Sequence, residues 1–339
     1  MLSALLIIIV YGIIILELFF DDKLIAVRYL HFSYLALFVT SAILFLYLAT
    51  KKSKKMWWFA PAFLWVSLNY LLPFLSISEN AKPQSTANTT VENEAQFKFL
   101  SYSVNSRNKD YHQVAGLLTQ HPADIICLQE IPYSRYELFK AQISDAGLNY
   151  HHVYSKKRAL MILSKHPIIP NKTMPYLEAT IELAGNPVKI WNIHSPKSLT
   201  KVNYQHYYFD KLYEDVSSDT TPHKLVCGDF NSTPHNNILP LFMTMLQPAY
   251  KKSHNPISLT YPTLKGVIPS PIPLIKIDYL LFSKNFNINN YQRLAQYANS
   301  DHYPITATAS ITTETKTTTI NSNKKTTMRT ASSSSEIMQ

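Results

Sequence analysis

The sequence predicts an α/β (α+β) fold, a sandwich of two β-sheets covered by helices, preceded by three transmembrane helices. Three observations carry this. Between residues 97 and 310, short apolar stretches of strand-like texture alternate with a few stretches of helical period. The first 77 residues hold three long apolar runs. Polar residues recur where the apolar strands of the middle region end.

The apolar runs come first. They are "MLSALLIIIVYGIIILELFF", "YLHFSYLALFVTSAILFLYLAT" (29–50) and "MWWFAPAFLWVSLNYLLPFLSI" (56–77). Each is about 20 residues, the length a helix needs to cross a bilayer. No basic start precedes the first run and no small-residue cleavage site follows it, which argues against a signal peptide. A buried hairpin is disfavoured because the runs are apolar on every face. "KKSKK" between the second and third runs belongs on the cytoplasmic side by the positive-inside rule, and Trp57 and Trp58 suit an interfacial belt. The expectation is therefore a membrane protein, in a bacterial inner membrane. Its N-terminus is cytoplasmic, and everything after residue 77 is periplasmic or otherwise extracytoplasmic. Residues 78–96 read as a polar linker. Residues 311–339, almost all Thr, Ser, Asn and Lys, read as a disordered tail.

Within residues 97–310 the elements follow in order. "FKFLSYSV" is a strand, "DYHQVAGLLTQH" a helix, "PADIICLQE" a buried strand and "RYELFKAQISDAG" a helix closed by glycine. "YHHVYS", "ALMILSKHPII", "LEATIELA" and "PVKIWNIHS" are successive strands. A helix over "NYQHYYFDKLYEDVSS" leads to the strand "HKLVCGDF". "NNILPLFMTML" is a helix, and "IKIDYLLFS" and "HYPITATASI" are the closing strands.

The chain's net charge is +10, and the middle region, with 22 basic and 16 acidic side chains over residues 81–310, is only mildly basic. That suits an anionic substrate without specifying one. With only 6 glycines and no Gly-rich loop, P-loop and dinucleotide-binding enzymes are disfavoured. Cys127 and Cys227 each sit in an apolar run and read as buried core residues, not as a disulfide or a metal site. One intramembrane acid, Glu17, is too little for a transporter.

The strand-end residues are Glu130, Asn192, His194, Asp229, Asn231, Asp278, Asp301 and His302. Loops at one sheet edge can converge into a site. Carboxylates and an amide oxygen are hard ligands suited to Mg²⁺, Mn²⁺ or Ca²⁺. Histidines beside them supply proton transfer or phosphate donors. Each residue alone has a structural alternative, such as an Asx-turn at Asp229 and Asn231. The joint pattern is harder to set aside.

These motifs resemble the endonuclease/exonuclease/phosphatase superfamily, the deoxyribonuclease-I-like fold, and a membrane-anchored bacterial subgroup within it. The resemblance covers residues 97–310 and implies a four-layer α/β sandwich. "DIICLQEI" resembles the metal-ligand strand, with Glu130 as ligand. "WNIHSP" resembles the strand of the first catalytic histidine, His194. In "CGDFNSTP", the most recognisable signature, Asp229 would contact the attacking water or the phosphate and Asn231 the phosphate. "KIDYLLFS" and "SDHYPI" supply Asp278, Asp301 and His302, with Asp278 orienting His302 and Asp301 supporting the metal site or His302. "ALMILSKHPI" resembles the family's "SR-P" segment, with Lys165 in place of arginine.

There is one departure. Where the family's first strand carries an asparagine, this chain has Ser103, whose hydroxyl reaches less far than an amide. Asn105, two residues on along an extended strand, stands in at the metal site. Lys165, Asn192 and Ser103 complete the set on the substrate side.

The resemblance implies a membrane-anchored, divalent-metal-dependent phosphoesterase, with phosphodiester hydrolysis of the nuclease kind first. A phospholipid, sphingomyelin or inositol-phosphate esterase is the alternative, and a catalytically weak tethered binding protein the third reading. Partners are the phosphate-ester substrate and the membrane, with no protein partner inferable. "YSKKR" (154–158) is either a phosphate-contacting patch or a solvated hairpin turn.

Overall fold

A computed structural model describes residues 2–20, 24–75, 95–197, 199 and 201–311. Nearly all of the expected linker and of the expected tail lies outside the described residues.

Alternation organises the domain. In β2 (Ile125–Gln129), Ile125 and Cys127 join one apolar cluster, while Ile126 and Leu128 join another. In β1 (Gln96–Ser103), Phe97 and Phe99 go one way and Leu100 and Tyr102 the other. A period of two places successive side chains on opposite faces, so this sheet is covered on both sides. On one face lie α4 (Tyr111–Gln120) and α5 (Tyr133–Asp145), contributing Val114, Leu118, Phe139 and Ile143. Asp110 caps α4 by accepting from the Gln113 amide at 3.2 Å. On the other face lies the second sheet.

The first sheet has the order β11-β12-β1-β2-β4-β3, with β3 (His151–Ser155), β4 (Leu160–Ser164), β11 (Phe286–Arg293) and β12 (Ile305–Ile311). The second has the order β5-β6-β7-β8-β10-β9. Its strands are β5 (Ile168–Lys172), β6 (Leu177–Leu183), β7 (Asn186–His194), β8 (His223–Asp229), β9 (Leu246–Pro248) and β10 (Asp278–Ser283). Helices α6 (Val202–Ser218) and α7 (Ile238–Met243) bring Tyr208, Phe209, Leu212 and Phe242 to the same core. The expected two-sheet sandwich with helical cover is found.

The apolar run "ALMILSKHPII" is two strands, not one: β4 and β5 belong to different sheets. Pro167 lacks a backbone donor, and the chain leaves the ladder there. The polar edge strand β11, "FNINNYQR", was not legible because its asparagines have low strand propensity.

The two cysteines correct a second expectation. Both are buried, but Cys127 on β2 and Cys227 on β8 form a disulfide with Cα atoms 6.6 Å apart, joining the two sheets. Their separation of 100 residues carried no signal that the strands face each other.

Of the three expected membrane spans, two have the required length and apolarity: α1 (Leu2–Phe20), with mean hydropathy 2.7, and α2 (Ile25–Thr50), with 2.0. The third run forms α3 (Lys55–Leu71), whose 17 residues span about 26 Å against about 30 Å of hydrocarbon. It passes into a 3₁₀ turn over Leu72–Phe74, where Pro73 cannot continue the ladder. The helices pack on one another through Val10, Ile14, Leu44, Leu48, Phe59 and Val66.

These helices also pack directly on the domain, which neither the runs nor the linker composition foretold. Arg28 reaches Gln205 and His206 on α6. Tyr34 stacks on His235 with centroids 4.5 Å apart, and the His235 ring bonds the Tyr70 carbonyl at 3.2 Å. Tyr250 donates to the Pro73 carbonyl at 3.0 Å. The contacts lie at the start of α2 and the end of α3, opposite the "KKSKK" turn.

Candidate active site

Five strands present an end at one edge of the sandwich. β1 and β2 are parallel in the first sheet and end at Ser103 and Gln129, beside each other. In the second sheet, Asp229 is paired with His194 of parallel β7 and with Asp278 of antiparallel β10. Register therefore places His194, Asp229 and Asp278 in adjacent strands. The segments after β2 and before β12 add Glu130, Asp301 and His302.

The local chain is strained where the site is built. Glu130 has φ +62° and Asn231 φ +46°, a region that non-glycine residues seldom occupy. Gly228, at φ +133°, could not be another residue. A Cβ there would lie 2.0 Å from the Ile193 carbonyl oxygen.

Asp229 and Asn231 meet, but not by strand alternation. β8 ends at Asp229, and the chain turns left-handed at Asn231. The Asn231 amide donates to Asp229 Oδ1 at 2.7 Å, an Asx-turn, and Asn231 Nδ2 donates to Asp229 Oδ2 at 3.2 Å and to the Ser195 carbonyl at 3.0 Å. Phe230 between them is fully buried against Phe209 and Tyr279.

Around Asp229 the groups are close. His302 Nδ1 donates to Asp278 at 2.9 Å, and its Nε2 lies 3.8 Å from Asp229 Oδ2. His194 Nε2 lies 3.6 Å from Asp229 Oδ2 and 3.5 Å from Glu130 Oε1. Glu130 Oε2 accepts the Ser106 amide at 2.7 Å.

Electrostatics follow the packing. Burial pulls the His302 imidazolium down, but the Asp278 and Asp229 carboxylates outweigh it and raise His302 to about 10. Burial, with Asp278 and Glu130 adding to it, pushes Asp229 up to about 8 against the opposing pull of His302. Burial likewise lowers His194, against Glu130, and raises Asp301.

The donor set fits a hard divalent cation. Asp301 Oδ1 is buried and has no hydrogen-bond partner among the described residues. Ligand atoms of Asp229, Asp278 and His302 all lie within 4.8 Å of one another. Because Asp278 is already bonded to His302 Nδ1 and Asp229 to Asn231, the oxygens without a hydrogen-bond donor among the described residues include Glu130 Oε1 and Asp301 Oδ1.

Four sequence-derived candidates sit differently from expectation. Asn192 is fully buried and knits the sheets together. Its Nδ2 donates to the Leu128 and Met161 carbonyls at 3.0 and 2.8 Å, and its Oδ1 accepts from Gln129 at 2.8 Å. No polar atom of it is left for a substrate. Lys165 pairs with Asp124 at 2.9 Å, before β2 begins. β4 runs antiparallel to β2, so Lys165 stands a strand's length from Glu130, at the opposite edge. Ser103 Oγ is buried with no hydrogen-bond partner among the described residues. Asn105 lies beyond the end of β1 at φ +70°, not on an extended strand, and its Oδ1 accepts from the Arg107 amide at 2.9 Å.

Other residues join the edge. From the "YSKKR" hairpin, Arg158 donates to the His194 carbonyl at 2.7 Å and Tyr154 to the carbonyl of Ile131, beside Glu130, at 2.8 Å. The Tyr261 ring lies 5.0 Å from that of His302. Gln205 donates to Ser232 Oγ at 3.2 Å and to the Pro196 carbonyl at 2.9 Å. Arg158 was visible in the sequence only as a charge in a turn. Tyr261 lies in "LTYPT", the stretch that carries the resemblance to a membrane-anchored bacterial subgroup, though that resemblance gives it no role, and Gln205 carried no signal.

Two stacked mixed sheets with acids and histidines gathered at one strand edge define a deoxyribonuclease-I-like α/β sandwich. The family model described as Endonuclease/Exonuclease/phosphatase family matches residues 100–302, well over half the chain, and the chain belongs to that family. Its members are generally hydrolytic phosphoesterases that typically use divalent metals. A comparison with curated protein sequences found no match.

Among solved structures, an endonuclease/exonuclease/phosphatase family protein from Leptotrichia buccalis is similar at TM-score 0.51 and 13% identity, covering 62% of this chain and 98% of that one. One from Bacteroides vulgatus is similar at TM-score 0.51 and 15% identity, with coverage of 65% and 100%. D. rerio TDP2, humanized by 14 mutations, is similar at TM-score 0.52 and 11% identity, with coverage of 63% and 98%. At these identities the likeness is one of fold.

Proposed function

We propose that this chain is a membrane-anchored, divalent-metal-dependent phosphoesterase that hydrolyses a phosphodiester on the non-cytoplasmic side. The observation that carries the reading is the convergence of Glu130, His194, Asp229, His302 and Asp278 at one strand edge, each within 4 Å of the next.

Glu130 and Asp301 would hold the cation, with Mg²⁺ first and Mn²⁺ or Ca²⁺ as alternatives. When bound, it supplies Lewis-acid polarisation of a phosphoryl oxygen. Asp229 takes the proton of the attacking water. His302, kept protonated and oriented by Asp278, donates to a phosphoryl oxygen as charge develops, while Asn231, whose amide and Nδ2 both donate to Asp229, holds that carboxylate in place. His194, beside both Glu130 and Asp229, is the second donor.

Orientation rests on three supports. "KKSKK" carries the charge bias of a cytoplasmic loop. The domain packs on the opposite end of α2 and α3. A disulfide suits an oxidising compartment.

The test uses full-length protein in detergent with bis(p-nitrophenyl) phosphate, plasmid DNA, RNA and inositol phosphates, each with Mg²⁺, Mn²⁺ or Ca²⁺. Turnover that is lost with EDTA and in Asp229→Ala supports the reading. Folded protein inert on every substrate would favour a tethered binding protein and sink it.

A further inference from the structure

The segment between Tyr261 and Ile275 is a hairpin-like loop rooted in the site. Tyr261, the ring beside His302, bridges to Ile275, and the Leu274 amide donates to the Tyr261 carbonyl at 2.8 Å. Thr263 Oγ1 donates to the Ser300 carbonyl at 2.6 Å, and its amide donates to the Asp301 carbonyl at 3.1 Å. The incoming side of the loop is thus tied to the segment carrying Asp301 and His302, and the outgoing side is tied to it through Tyr261.

Its tip is apolar and bare. Val267, Ile268 and Ile272 are 69%, 71% and 63% exposed, and Leu264 is 54% exposed. The outer residues of α1 show the same exposure: Ile8 is at 67% and Leu18 at 66%. A loop of a soluble domain rarely presents four such side chains together.

The anchor says what covers it. Leu274, Ile275 and Lys276 line one small cavity with His31, Phe32 and Tyr34, close to the start of α2. The loop therefore emerges beside the end of the hairpin that the bilayer would surround. On α6, the residues flanking the Arg28 contact are Tyr204 and Tyr207, both exposed, as in an interfacial aromatic belt. Charge points the same way. The loop carries one cation, Lys265, whereas a nucleic-acid rim would present several.

We infer that the loop over residues 264–274 inserts its apolar tip into the bilayer beside the anchor, and that the site's substrate is the phosphodiester head group of a membrane lipid. This rests on the phosphoesterase reading above. In the reaction, the water oxygen bonds to phosphorus and one ester P–O bond breaks. The water proton passes to Asp229, and the departing alkoxide takes a proton from the His302 imidazolium, which Asp229 then restores.

Two measurements test it, both on the full chain in vesicles of phosphatidylethanolamine and phosphatidylglycerol. First, Ile268→Cys carries a nitroxide label and is probed with oxygen and a water-soluble nickel chelate. Preferential access of oxygen is expected, and preferential access of the chelate overturns insertion. Second, head-group release is compared with cleavage of plasmid DNA and of bis(p-nitrophenyl) phosphate. Release from the vesicles is expected, falling at least tenfold in the triple variant Val267→Ser, Ile268→Ser, Ile272→Ser. Cleavage of the soluble diester or of DNA with no head-group release overturns the substrate assignment and leaves the phosphoesterase reading standing. Inertness on all three overturns both.

Discussion

Glu130 sits in left-handed backbone at the end of a buried strand, its carboxylate held by the Ser106 amide and facing His194. Such strain persists where the surroundings impose it and is common at functional sites. Glu130→Ala is expected to lower turnover at least about 100-fold, whereas Lys165→Ala, removing an exposed ion pair at the far edge, should stay within about twofold. Steady-state rates on bis(p-nitrophenyl) phosphate check both. Asn192→Ala should instead act on stability. It strands the Leu128 and Met161 carbonyls and the Gln129 amide, at a cost of about 2 kcal/mol in chemical denaturation. At this scale the acids and histidines of the site were legible, because each stands beside a recognisable apolar strand. Asn192 and Lys165 look the same in sequence, and only hydrogen-bond partners and strand direction separate them.

At the scale of elements, the loop following β8 serves two masters. Asp229 and Asn231 face the site, while Thr233, His235 and Asn236 face α2 and α3. Burial holds the His235 imidazole down at about 4, with the Tyr70 carbonyl opposing and His31 assisting. The folded state therefore binds fewer protons than the unfolded one between that value and the ordinary 6.5. Stability is full above about pH 6.5 and is lost as pH falls toward 4, by about 3 kcal/mol. Melting of detergent-solubilised protein at pH 7 and pH 4.5 should show the drop, and His235→Phe should flatten that part of it. Sequence reasoning found the three helices as apolar runs and expected all three to span, of which two are long and apolar enough. It could not find their docking, because the residues that make it, such as Arg28, Tyr34 and His235, are ordinary in their own segments.

For the whole molecule, the disulfide between β2 and β8 ties one sheet to the other across a 100-residue interval. Closing an interval of that length restricts the unfolded chain by about 4 kcal/mol. Reduction should therefore lower the melting temperature of a domain this size by roughly 10 °C, as should the Cys127→Ala, Cys227→Ala pair. Calorimetry with and without reductant checks this. Unchanged melting would mean that the sulfurs are not bonded in solution.

The sequence by itself determined the kind of fold, the apolar helices and the identities of the acids and histidines at the site. Those properties are local: a period of two, a run of apolar residues, a polar residue ending a strand. The tertiary structure alone decided which strand ends share an edge, which polar side chains knit the sheets together and which remain open. It also brought two cysteines together and set an apolar loop beside the N-terminal helices. These depend on strand direction, register and contacts between residues as many as 205 positions apart, and no local pattern in the chain encodes them.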